Sequence, residues 1–434
     1  MATVRIIPAT LQGAVQVPSS KSMGHRNIIC AGLSGGVSTV DNITLSADIT
    51  ATNNCLQALG VEILNLPSRF AGRQAFSYRT RLPLKITQPV WDCGESGSTL
   101  RFFIPVAATL GGVTFVGHGK LGSRPLDPYY RIFEEQNLAY TTGPAGHLPL
   151  TVQGQLRPGN FVLRGDVSSQ FVSGLLFALP LLSEDSLIKV LPPVESASYI
   201  GLTLAALRRF GIKIEERPDY TYLVPGNQQY RSPAGRILVE GDWSQAAFWL
   251  AAGTISGPVI CQGLDRDSLQ GDKVIAELIT RLGGQLRWDD AHQELTAVPA
   301  TTRGGLIDAA DCPDLVPILS VIAAVSAGTT RIIHAERLRL KECDRLAAMA
   351  AELGKLGARI KEQPDGLLIE GRPEGLDGGV TVAAWNDHRV AMSLAIAAAK
   401  CRQPVLIQGS DSVKKSYPHF WQDLAAVGGK VEQV

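Results

Sequence analysis

One short pattern recurs six times along the chain, at intervals of about 70 to 76 residues, and it constrains the fold more than any other feature. In each copy a small polar turn directly precedes an apolar helical run, and a Leu-Gly-like element follows downstream. The turns begin at Ser19, Glu95, Asp166, Asp242, Asp311 and Asn386. A repeated unit of this size cannot bury its apolar face alone, so the units must share cores. We therefore expect one supersecondary block repeated six times, with function carried by the residues that vary among the turns.

Each repeat predicts the order strand, polar turn, helix, strand, second helix and short strands. The segment 171–182 has the apolar spacing of an amphipathic helix, with Ser168 or Ser169 as its N-cap, and Asp242 or Ser244 should cap the next repeat's helix. Second helices are predicted at 49–59, 128–136, 199–210, 273–282 and 344–356. This mixture indicates an α/β or α+β protein, and 434 residues fit two domains of three repeats each.

Charge and cysteine content limit the partners and the compartment. The chain has 41 basic and 40 acidic residues, a net charge of +1, so we expect no broad attraction to nucleic acid or to an anionic membrane. The apolar runs 171–182 and 390–399 fall short of the ~20 residues that span a bilayer, and the amino terminus does not resemble a signal peptide. The seven cysteines are widely spaced without a CxxC motif, which indicates reduced, buried thiols in a cytoplasmic protein.

Several basic residues lie in the polar turns or in similar polar segments, beside glycines and hydroxyl groups instead of paired carboxylates. They are Lys21, Arg26, Arg101, Arg124, Lys341, Arg345, Arg389 and Lys415. A lone Lys or Arg is usually a solvated surface charge. Because several of these cations occupy equivalent points of the repeats, we expect them to gather around a small polyanion that carries phosphate and carboxylate groups. Helix N-termini with free N–H groups favour the same kind of ligand.

Five motifs follow one another in register over essentially the whole chain. They are SSKSMGHR at 19–26, ESGSTLR at 95–101, GDVSSQF at 165–171, KECDR at 341–345 and NDHR at 386–389. In order and spacing they resemble the 5-enolpyruvylshikimate-3-phosphate (EPSP) synthase family, the 3-phosphoshikimate 1-carboxyvinyltransferases. The resemblance implies transfer of an enolpyruvyl group from phosphoenolpyruvate to the 5-hydroxyl of shikimate 3-phosphate. Phosphate is released, and the product leads to chorismate and the aromatic amino acids.

The same resemblance implies a fold and a set of partners. It predicts two similar globular domains, each with three βαβαββ repeats in an inside-out α/β barrel, and an active site in the cleft between them. One domain is expected at 20–238, and the other at 1–19 together with 239–434. No metal or organic cofactor is implied, and glyphosate is a candidate ligand of the phosphoenolpyruvate site. We expect a cytoplasmic monomer with two small-molecule substrates and no nucleic-acid or membrane partner.

Site residues are carried over from the family motif by motif. Shikimate 3-phosphate should contact Lys21, Ser22, Arg26, Ser168, Ser169, Gln170, Ser196, Tyr199, Asp314, Arg337 and Lys341. Phosphoenolpyruvate should contact Lys21, Gly97, Arg124, Gln170, Arg345, Arg389 and Lys415. The resemblance makes Asp314 the proton acceptor and Glu342 the proton donor, and Lys21 the third catalytic residue.

The chemistry of these residues supports the assignment unevenly. The reaction must protonate a methylene carbon while a hydroxyl loses its proton, and two carboxyl groups in unlike surroundings can divide this work. Asp314 begins a predicted helix, where ionisation is favoured, as suits an acceptor. Lys341 and Arg345 flank Glu342 and favour its ionised form, so its donor role rests on the resemblance. Lys21 can stabilise charge on the phosphate-bearing oxygen and transfer a proton at elimination.

Several of these residues also have other interpretations. Ser168, Ser169 and Asp314 could be only helix caps, Gly97 only a turn glycine, and Tyr199 only a core residue. Taken together, these interpretations leave the cation set unexplained. 

Two positions depart from the family pattern. Glu95 replaces a common Asn and adds negative charge near the expected anion pocket. Arg337 stands near a position where Asn or Glu is common. Two alternatives are open for its side chain, contact with shikimate 3-phosphate and exposure to water. His388 is interpreted as a packed or capping residue because no carboxylate partner is evident.

Two rival functions stay open at this point. The same fold could transfer enolpyruvyl to a uridine-diphosphate sugar, but relatives with that activity usually carry a Cys in the loop that spans 119–125 here, where there is none. A non-enzymatic repeat scaffold would have interchangeable turns and an exposed apolar patch. The turns of this chain instead differ by specific charged residues.

Overall fold

Helices and strands alternate along the chain in the computed structural model, which describes residues 2–434. The helices are α1 (Lys21–Leu33), α2 (Ala47–Ala58), α3 (Gly97–Ala108), α4 (Asp127–Glu135), α5 (Ser169–Ala178), α6 (Ala197–Arg209), α7 (Trp243–Ile255), α8 (Ile275–Arg281), α9 (Val316–Ala324), α10 (Arg345–Lys355), α11 (His388–Ala399) and α12 (Phe420–Ala426). They form six pairs, one pair for each repeat of the sequence.

The strands are short and are distributed over six sheets. They are β1 (Thr3–Ile7), β2 (Gly13–Gln16), β3 (Gly36–Ile43), β4 (Glu62–Pro67), β5 (Gln74–Thr80), β6 (Val90–Asp92), β7 (Thr114–Val116), β8 (Ala139–Thr142), β9 (Leu150–Gln153), β10 (Asn160–Arg164), β11 (Ser186–Leu191), β12 (Glu215–Arg217), β13 (Thr221–Val224), β14 (Arg236–Leu238), β15 (Val259–Gln262), β16 (Gln285–Asp289), β17 (Glu294–Val298), β18 (Leu306–Asp308), β19 (Thr329–Ile333), β20 (Arg359–Gln363), β21 (Gly366–Glu370), β22 (Thr381–Ala383), β23 (Val405–Gln408) and β24 (Lys430–Gln433).

All six sheets have four strands and the same topology. Their orders are β14-β3-β5-β4, β6-β7-β9-β8, β10-β11-β13-β12, β2-β15-β17-β16, β18-β19-β21-β20 and β22-β23-β1-β24. In the third repeat β10 pairs in parallel with β11, and β13 then pairs antiparallel with both β11 and β12. A parallel pair needs a helical crossover and an antiparallel pair can be joined by a short turn, so each repeat has the order βαβαββ. The predicted α/β class is confirmed.

Three strands come from outside the repeat that they complete. Strand β14 supplies the first strand of the first repeat, although it lies about 200 residues downstream of β3. Strand β2 opens the fourth sheet, and β1 pairs with both β23 and β24 in the sixth. The repeat pattern in the sequence did not predict these exchanges.

The chain divides into two compact units, which we name after their place in the sequence. The central unit is Lys21–Val239, and the terminal unit comprises the residues up to Ser20 together with Glu240–Val434. Each has its own hydrophobic core. In the central unit, Trp91 packs edge to face against Phe103 at a ring-centroid distance of 5.5 Å. In the terminal unit, Trp249 stacks on Phe420 at 5.3 Å.

The first helix of each repeat is buried along almost its whole length. Every residue of α7, α9 and α11 is buried, and these three helices pack against one another inside the terminal unit. Helices α3 and α5 pack together in the central unit, where α1 packs against α6. A helix that is apolar on all sides must be buried, so the first helices form the cores. Their charged side chains lie within the first two turns, as do Lys21 and Arg26 of α1 and Arg389 of α11.

Side chains cap several of these helices as the turns predicted. Ser168 accepts a hydrogen bond from the Gln170 N–H, and Asp242 accepts one from the Gln245 N–H. The second helices also lie close to the predicted segments, except that 273–274 belong to a short 3-10 helix (Gly271–Val274) before α8. Helix α12 of the sixth repeat was not predicted. Its apolar pattern spans only seven residues, which is too short for a clear helical period.

All seven cysteines are free and buried, as the sequence predicts. Burial raises the pKa of the Cys30 and Cys261 thiols far above the ordinary value, so these side chains behave as small apolar groups. Within residues 2–434 no helix combines the length and the apolar character that crossing a membrane requires.

The close packing of strands in the fifth sheet is testable at Gly366. A Cβ atom there would lie 1.8 Å from the backbone carbonyl oxygen of Ile332, which belongs to the paired strand β19 and cannot move without breaking that pairing. We expect Gly366→Ala to lower the free energy of unfolding by about 2 to 3 kcal/mol. Gly201→Ala is the control, because a Cβ on that helical residue meets nothing within 4 Å. Equal urea midpoints for the two variants would contradict this account of the packing.

Candidate active site

A cluster of ion pairs lies in the terminal unit where three helices begin. Asp314 belongs to a short 3-10 helix (Pro313–Leu315) that leads into α9, Arg345 is the first residue of α10, and Arg389 is the second residue of α11. The sequence places all three in or beside polar turns. The packing of α9 against both α10 and α11 brings these turns together.

Arg345 is the centre of this cluster, and its side chain is only 2% exposed. Its Nη1 donates to Asp314 Oδ1 at 2.8 Å, and its Nη2 donates to Glu342 Oε2 at 2.9 Å. Its Nε donates to Asp387 Oδ2 at 2.7 Å. Burial lowers the pKa of Arg345, but Asp387, Glu342 and Asp314 outweigh it and hold that pKa well above the ordinary value. The guanidinium is therefore a permanent buried cation shared by three carboxylates.

Two further cations approach Asp314. Arg389 donates from Nη2 to Asp314 Oδ2 at 3.0 Å and from Nη1 to the Asp314 carbonyl oxygen at 3.0 Å. The Lys341 ammonium lies 3.5 Å from Asp314 Oδ1. Three positive groups around one carboxylate favour its ionised form, which suits a proton acceptor. The alternative that Asp314 serves only as a helix cap is wrong, because its oxygens face these cations.

The other predicted residues of the terminal unit lie around this cluster. Lys415 donates from Nζ to the carbonyl oxygen of Asn386, the residue before Asp387. Arg337 is half-buried and donates from Nη2 to the Ala310 carbonyl oxygen at 2.6 Å, so part of its guanidinium contacts protein. His388 is buried as the first residue of α11, but Asp387 caps that helix, so a capping role for His388 is wrong.

Arg26 is a buried cation of the central unit. Its Nε donates to Thr203 Oγ1 at 2.8 Å, and its two Nη atoms donate to the carbonyl oxygens of Ser22 and Tyr199 at 2.8 and 2.9 Å. Its guanidinium also lies 5.2 Å from the centre of the Phe102 ring. Burial lowers the pKa of Arg26 to about 10, while Tyr199 raises it slightly. The contacts that the structure gives Arg26 are neutral oxygens and aromatic rings, so no acid among them neutralises its positive charge.

A second group in the central unit joins the first turns of α3 and α5. Gln170 donates from Nε2 to Ser98 Oγ at 3.0 Å and accepts at Oε1 from Arg101 Nη1 at 2.8 Å. Arg101 also donates to the Pro125 carbonyl oxygen at 3.2 Å and lies over the Phe171 ring. Arg101 thus fixes both the amide of Gln170 and the segment that follows Arg124.

Lys21 and Gly97 complete the central group. Lys21 Nζ lies 2.8 Å from Asp48 Oδ2, and both side chains are mostly shielded from water. A Cβ on Gly97 would lie 2.6 Å from Arg124 Nη1, so only glycine lets that guanidinium rest against the first turn of α3.

Of the remaining predicted residues, Ser169 begins α5, while Ser196 precedes α6 with φ +55° and Tyr199 lies in its first turn. The structure therefore places ten predicted site residues in the central unit and seven in the terminal unit. In the central unit they are Lys21, Ser22, Arg26, Gly97, Arg124, Ser168, Ser169, Gln170, Ser196 and Tyr199, and in the terminal unit Asp314, Arg337, Lys341, Glu342, Arg345, Arg389 and Lys415.

Comparison with known proteins identifies the family. The family model described as EPSP synthase (3-phosphoshikimate 1-carboxyvinyltransferase) matches residues 6–424. This chain belongs to the EPSP synthase family. The 3-phosphoshikimate 1-carboxyvinyltransferase of Clostridium novyi (strain NT) is 48% identical over 437 residues, which cover 100% of this chain and 99% of that protein. The protein of the same name from Clostridium kluyveri is 46% identical over 434 residues, with the same coverage.

Solved structures agree with the fold. A 2.37 Å structure of EPSP synthase from Acinetobacter baumannii aligns with a TM-score of 0.82 over 100% of both chains at 23% identity. The enolpyruvyl transferase NikO from Streptomyces tendae aligns with a TM-score of 0.79 at 17% identity, over 100% of this chain and 99% of that one. At these identities the likeness concerns the fold alone, and it confirms the architecture that the resemblance to the EPSP synthase family predicted.

One prediction about the cations is wrong. The sequence indicated cations beside glycines and hydroxyl groups without paired carboxylates, yet Lys21 pairs with Asp48, and Arg345 and Arg389 pair with Asp314. Asp48 comes from the start of α2 and was not singled out in the sequence. The pairing follows from burial, because a buried cation must be compensated by an acid or by other polar groups.

The sequence also did not predict the contacts of Asp387 and Arg101. Asp387 belongs to the NDHR motif, and its position directly before a helix was a usable N-cap signal, but nothing in the sequence showed its contact with Arg345. Arg101 was named among the cations, whereas its contact with Gln170 depends on how α3 packs on α5.

The contribution of the terminal ion pairs to stability can be tested at Asp387. Asp387→Asn removes one of the carboxylates around the buried Arg345, and we expect it to lower the free energy of unfolding by about 3 kcal/mol. Asp290→Asn is the matched control, because Asp290 pairs with Arg266 on the surface and its side chain is 71% exposed. Urea unfolding monitored by tryptophan fluorescence measures both. A midpoint of Asp387→Asn equal to that of the control would contradict the central place of this ion pair.

Proposed function

We propose that this protein transfers the enolpyruvyl group from phosphoenolpyruvate to the 5-hydroxyl of shikimate 3-phosphate and releases phosphate. This is the activity in the name of its family, and it is a step of the shikimate pathway. The observation that carries the proposal is the terminal cluster, where Asp314 and Glu342 share the buried Arg345. Two carboxyl groups beside several cations match a reaction that moves protons between two anionic substrates.

The proposal assigns residues of both units to each substrate. Phosphoenolpyruvate, with its phosphate and carboxylate groups, is assigned to Lys21, Gly97, Arg124, Gln170, Arg345, Arg389 and Lys415. Shikimate 3-phosphate is assigned to Lys21, Ser22, Arg26, Ser168, Ser169, Gln170, Ser196, Tyr199, Asp314, Arg337 and Lys341. Arginine forks bind phosphate and carboxylate in bidentate fashion and lysines act as point charges, so these side chains fit the two anions.

Proton transfer would depend on an exchange of ion-pair partners. In the cluster, Arg345 and Arg389 hold Asp314, and Arg345 also holds Glu342. An anionic substrate that takes hydrogen bonds from these arginines releases the carboxylates from part of that attraction, and their proton affinity rises. Asp314 then accepts the proton of the 5-hydroxyl as its oxygen attacks. Glu342, once protonated, donates to the methylene carbon.

Lys21 is assigned to the leaving phosphate. The proposed addition produces a tetrahedral carbon that bears the phosphate, and elimination breaks that C–O bond as a proton leaves the new methyl group. Lys21 stabilises the charge that develops on the departing oxygen, which is the kind of electrostatic term that often dominates enzymatic rate enhancement. Holding the two anions together contributes up to ~7 to 11 kcal/mol through proximity.

The proposal extends to partners and location. We propose a cytoplasmic monomer that acts on its two small-molecule substrates, with no nucleic-acid or membrane partner and no cofactor. The net charge of +1 supports the absence of a nucleic-acid or membrane partner, because binding to nucleic acid or an anionic surface relies on excess positive charge. Glyphosate is proposed as a ligand of the residues assigned to phosphoenolpyruvate.

A phosphate-release assay with both substrates tests the proposed function directly. Release that requires both phosphoenolpyruvate and shikimate 3-phosphate supports it. Release with a uridine-diphosphate sugar in place of shikimate 3-phosphate would assign the protein to the rival transferase activity. No release with either acceptor, together with no heat of binding for shikimate 3-phosphate, would instead favour the scaffold.

Loss of either catalytic group should remove turnover without unfolding the protein. Asp314→Asn keeps the size of the side chain but abolishes the proton acceptor, and Lys21→Ala removes the cation assigned to the leaving phosphate. We expect kcat to fall by at least about a hundredfold in each, as is typical when an acid–base group is lost. Circular dichroism controls for folding. Near-normal kcat in either folded variant would refute its assigned role.

Gly97→Ala should affect the binding of phosphoenolpyruvate selectively. The added Cβ would lie 2.6 Å from Arg124 Nη1, so the guanidinium must move, while the flexible side chain lets the fold adapt. We expect the KM for phosphoenolpyruvate to rise by about tenfold, equivalent to the loss of roughly one charge-assisted hydrogen bond. The KM for shikimate 3-phosphate should change less. An equal rise for both substrates would contradict this placement of Arg124.

A further inference from the structure

A further buried carboxyl group has no part in the mechanism above. Its short 3-10 helix packs against α7, and so does the 3-10 helix that carries Asp314. Asp272 belongs to the short 3-10 helix that precedes α8, and it is 2% exposed. Ser244 Oγ, in the first turn of α7, donates a short hydrogen bond to Asp272 Oδ2. Asp272 Oδ1 is buried and makes no hydrogen bond with any residue of the described part of the chain. One of its two oxygens is thus available to hold a proton.

Charged groups from the surrounding helix starts act on Asp272. Burial raises its pKa most, Asp314 raises it further, Arg389 and the Ser244 hydrogen bond lower it, and Asp242 raises it. The net pKa is about 6. Asp314 lies before α9, Arg389 in α11, and Asp242 caps α7, so all three neighbouring helices contribute.

One further titratable group interacts electrostatically with Asp272. The thiol of Cys312 is mostly buried and feels the charge of Asp272, and its pKa is raised to about 12, first by burial and then by Asp272 and other acids. Cys312 is therefore neutral over the working range of an enzyme. It adds no charge that changes with pH near neutrality.

We propose that Asp272 is a positioning residue whose negative charge raises the proton affinity of Asp314 for proton transfer. The inference rests on the proposed function, in which Asp314 accepts the proton of the 5-hydroxyl. Coupling between two carboxyl groups is mutual, so an ionised Asp272 raises the proton affinity of Asp314 by as much as Asp314 raises that of Asp272. Arg389, which pairs with Asp314, also favours the ionised form of Asp272.

The direction of the pH effect follows from this coupling. Above pH 6 Asp272 is ionised, and Asp314 is the stronger base. Below pH 6 Asp272 takes up a proton from solvent and loses its negative charge. The cations around Asp314 then favour its ionised form without opposition from Asp272. Asp314 then accepts a proton less readily, so turnover falls as the pH drops through about 6.

A purely structural role for Asp272 predicts something different. If it only anchors the start of α7 through Ser244, its replacement changes stability and leaves the pH dependence of kcat in place. The pH profile therefore separates the two roles.

The first experiment is the profile of kcat against pH, at saturating substrates, for the parent protein, Asp272→Asn and Asp267→Asn. Asn keeps the acceptor oxygen for Ser244 but cannot ionise. Asp267 is exposed in the same segment and is the control. We expect Asp272→Asn to lose about tenfold in kcat at pH 7.5, equivalent to one pKa unit at Asp314, and to lose one ionisation from its acidic limb.

Titration of the substrates also contributes to the fall of kcat at acidic pH. Phosphate monoesters also titrate near pH 6, but this contribution is common to all three proteins. The comparison between variants therefore carries the test. An acidic limb of Asp272→Asn that matches those of the parent and Asp267→Asn would overturn the inference.

A second variant keeps Asp272 itself. Ser244→Ala removes a hydrogen bond that favours the ionised carboxylate. We expect its acidic limb to move to higher pH, the opposite of the loss expected for Asp272→Asn. An unmoved limb in folded Ser244→Ala would also overturn the inference.

A measurement without turnover distinguishes this inference from the proposed function. Protein labelled with ¹³C at the Asp carboxyl carbon should show one resonance that titrates near pH 6, absent in Asp272→Asn and retained in Asp267→Asn. Absence of that resonance in the parent protein overturns the inference even if enolpyruvyl transfer occurs. Its presence in a protein that lacks transfer supports the charge coupling, while the proposed function fails separately in the phosphate-release assay.

Discussion

The buried guanidinium of Arg345 is the interaction on which the terminal cluster depends. It lies at the start of α10 and binds Asp314, Glu342 and Asp387, which come from three different segments of the chain. Burying a cation is costly unless acids compensate it, and burying acids is costly without a cation. Each member therefore needs the others to remain buried and ionised. This mutual dependence holds the two carboxyl groups assigned to proton transfer at one guanidinium.

The repeat architecture explains why such a cluster can form. The first helix of each repeat packs in the core, and its charged side chains, where it has any, lie within its first two turns. Helices α7, α9 and α11 pack together, and their turns bring Ser244, Asp314 and Arg389 into one electrostatic group with Asp272. The central unit repeats the principle with different residues, since Gln170 joins the first turns of α3 and α5.

The ion pairs also suit the proposed chemistry. Cations that are compensated by carboxylates are stable inside the protein. In the proposed function an anionic substrate takes hydrogen bonds from these cations, and the carboxylates that it releases gain proton affinity. Arg26 differs, because its contacts are a hydroxyl, two carbonyl oxygens and aromatic rings, and burial lowers its pKa. Such a cation gains the most from a negatively charged ligand. In the proposed function the two units therefore bind anions in two ways, by exchange of ion-pair partners at Arg345 and by direct neutralisation of Arg26.

The sequence alone determined the six repeats, the α/β class, the caps Ser168 and Asp242, and the motifs of the EPSP synthase family, because each depends on local periodicity or residue type. It did not determine which strands complete the first, fourth and sixth sheets, since β14, β2 and β1 lie far from their partners in the chain. Nor did it show that Asp48 pairs with Lys21, that Asp387 pairs with Arg345, or that the charges of Asp272 and Asp314 act on each other. These interactions join residues about 27 to 42 positions apart, and only the packing of the helices brings their charges together.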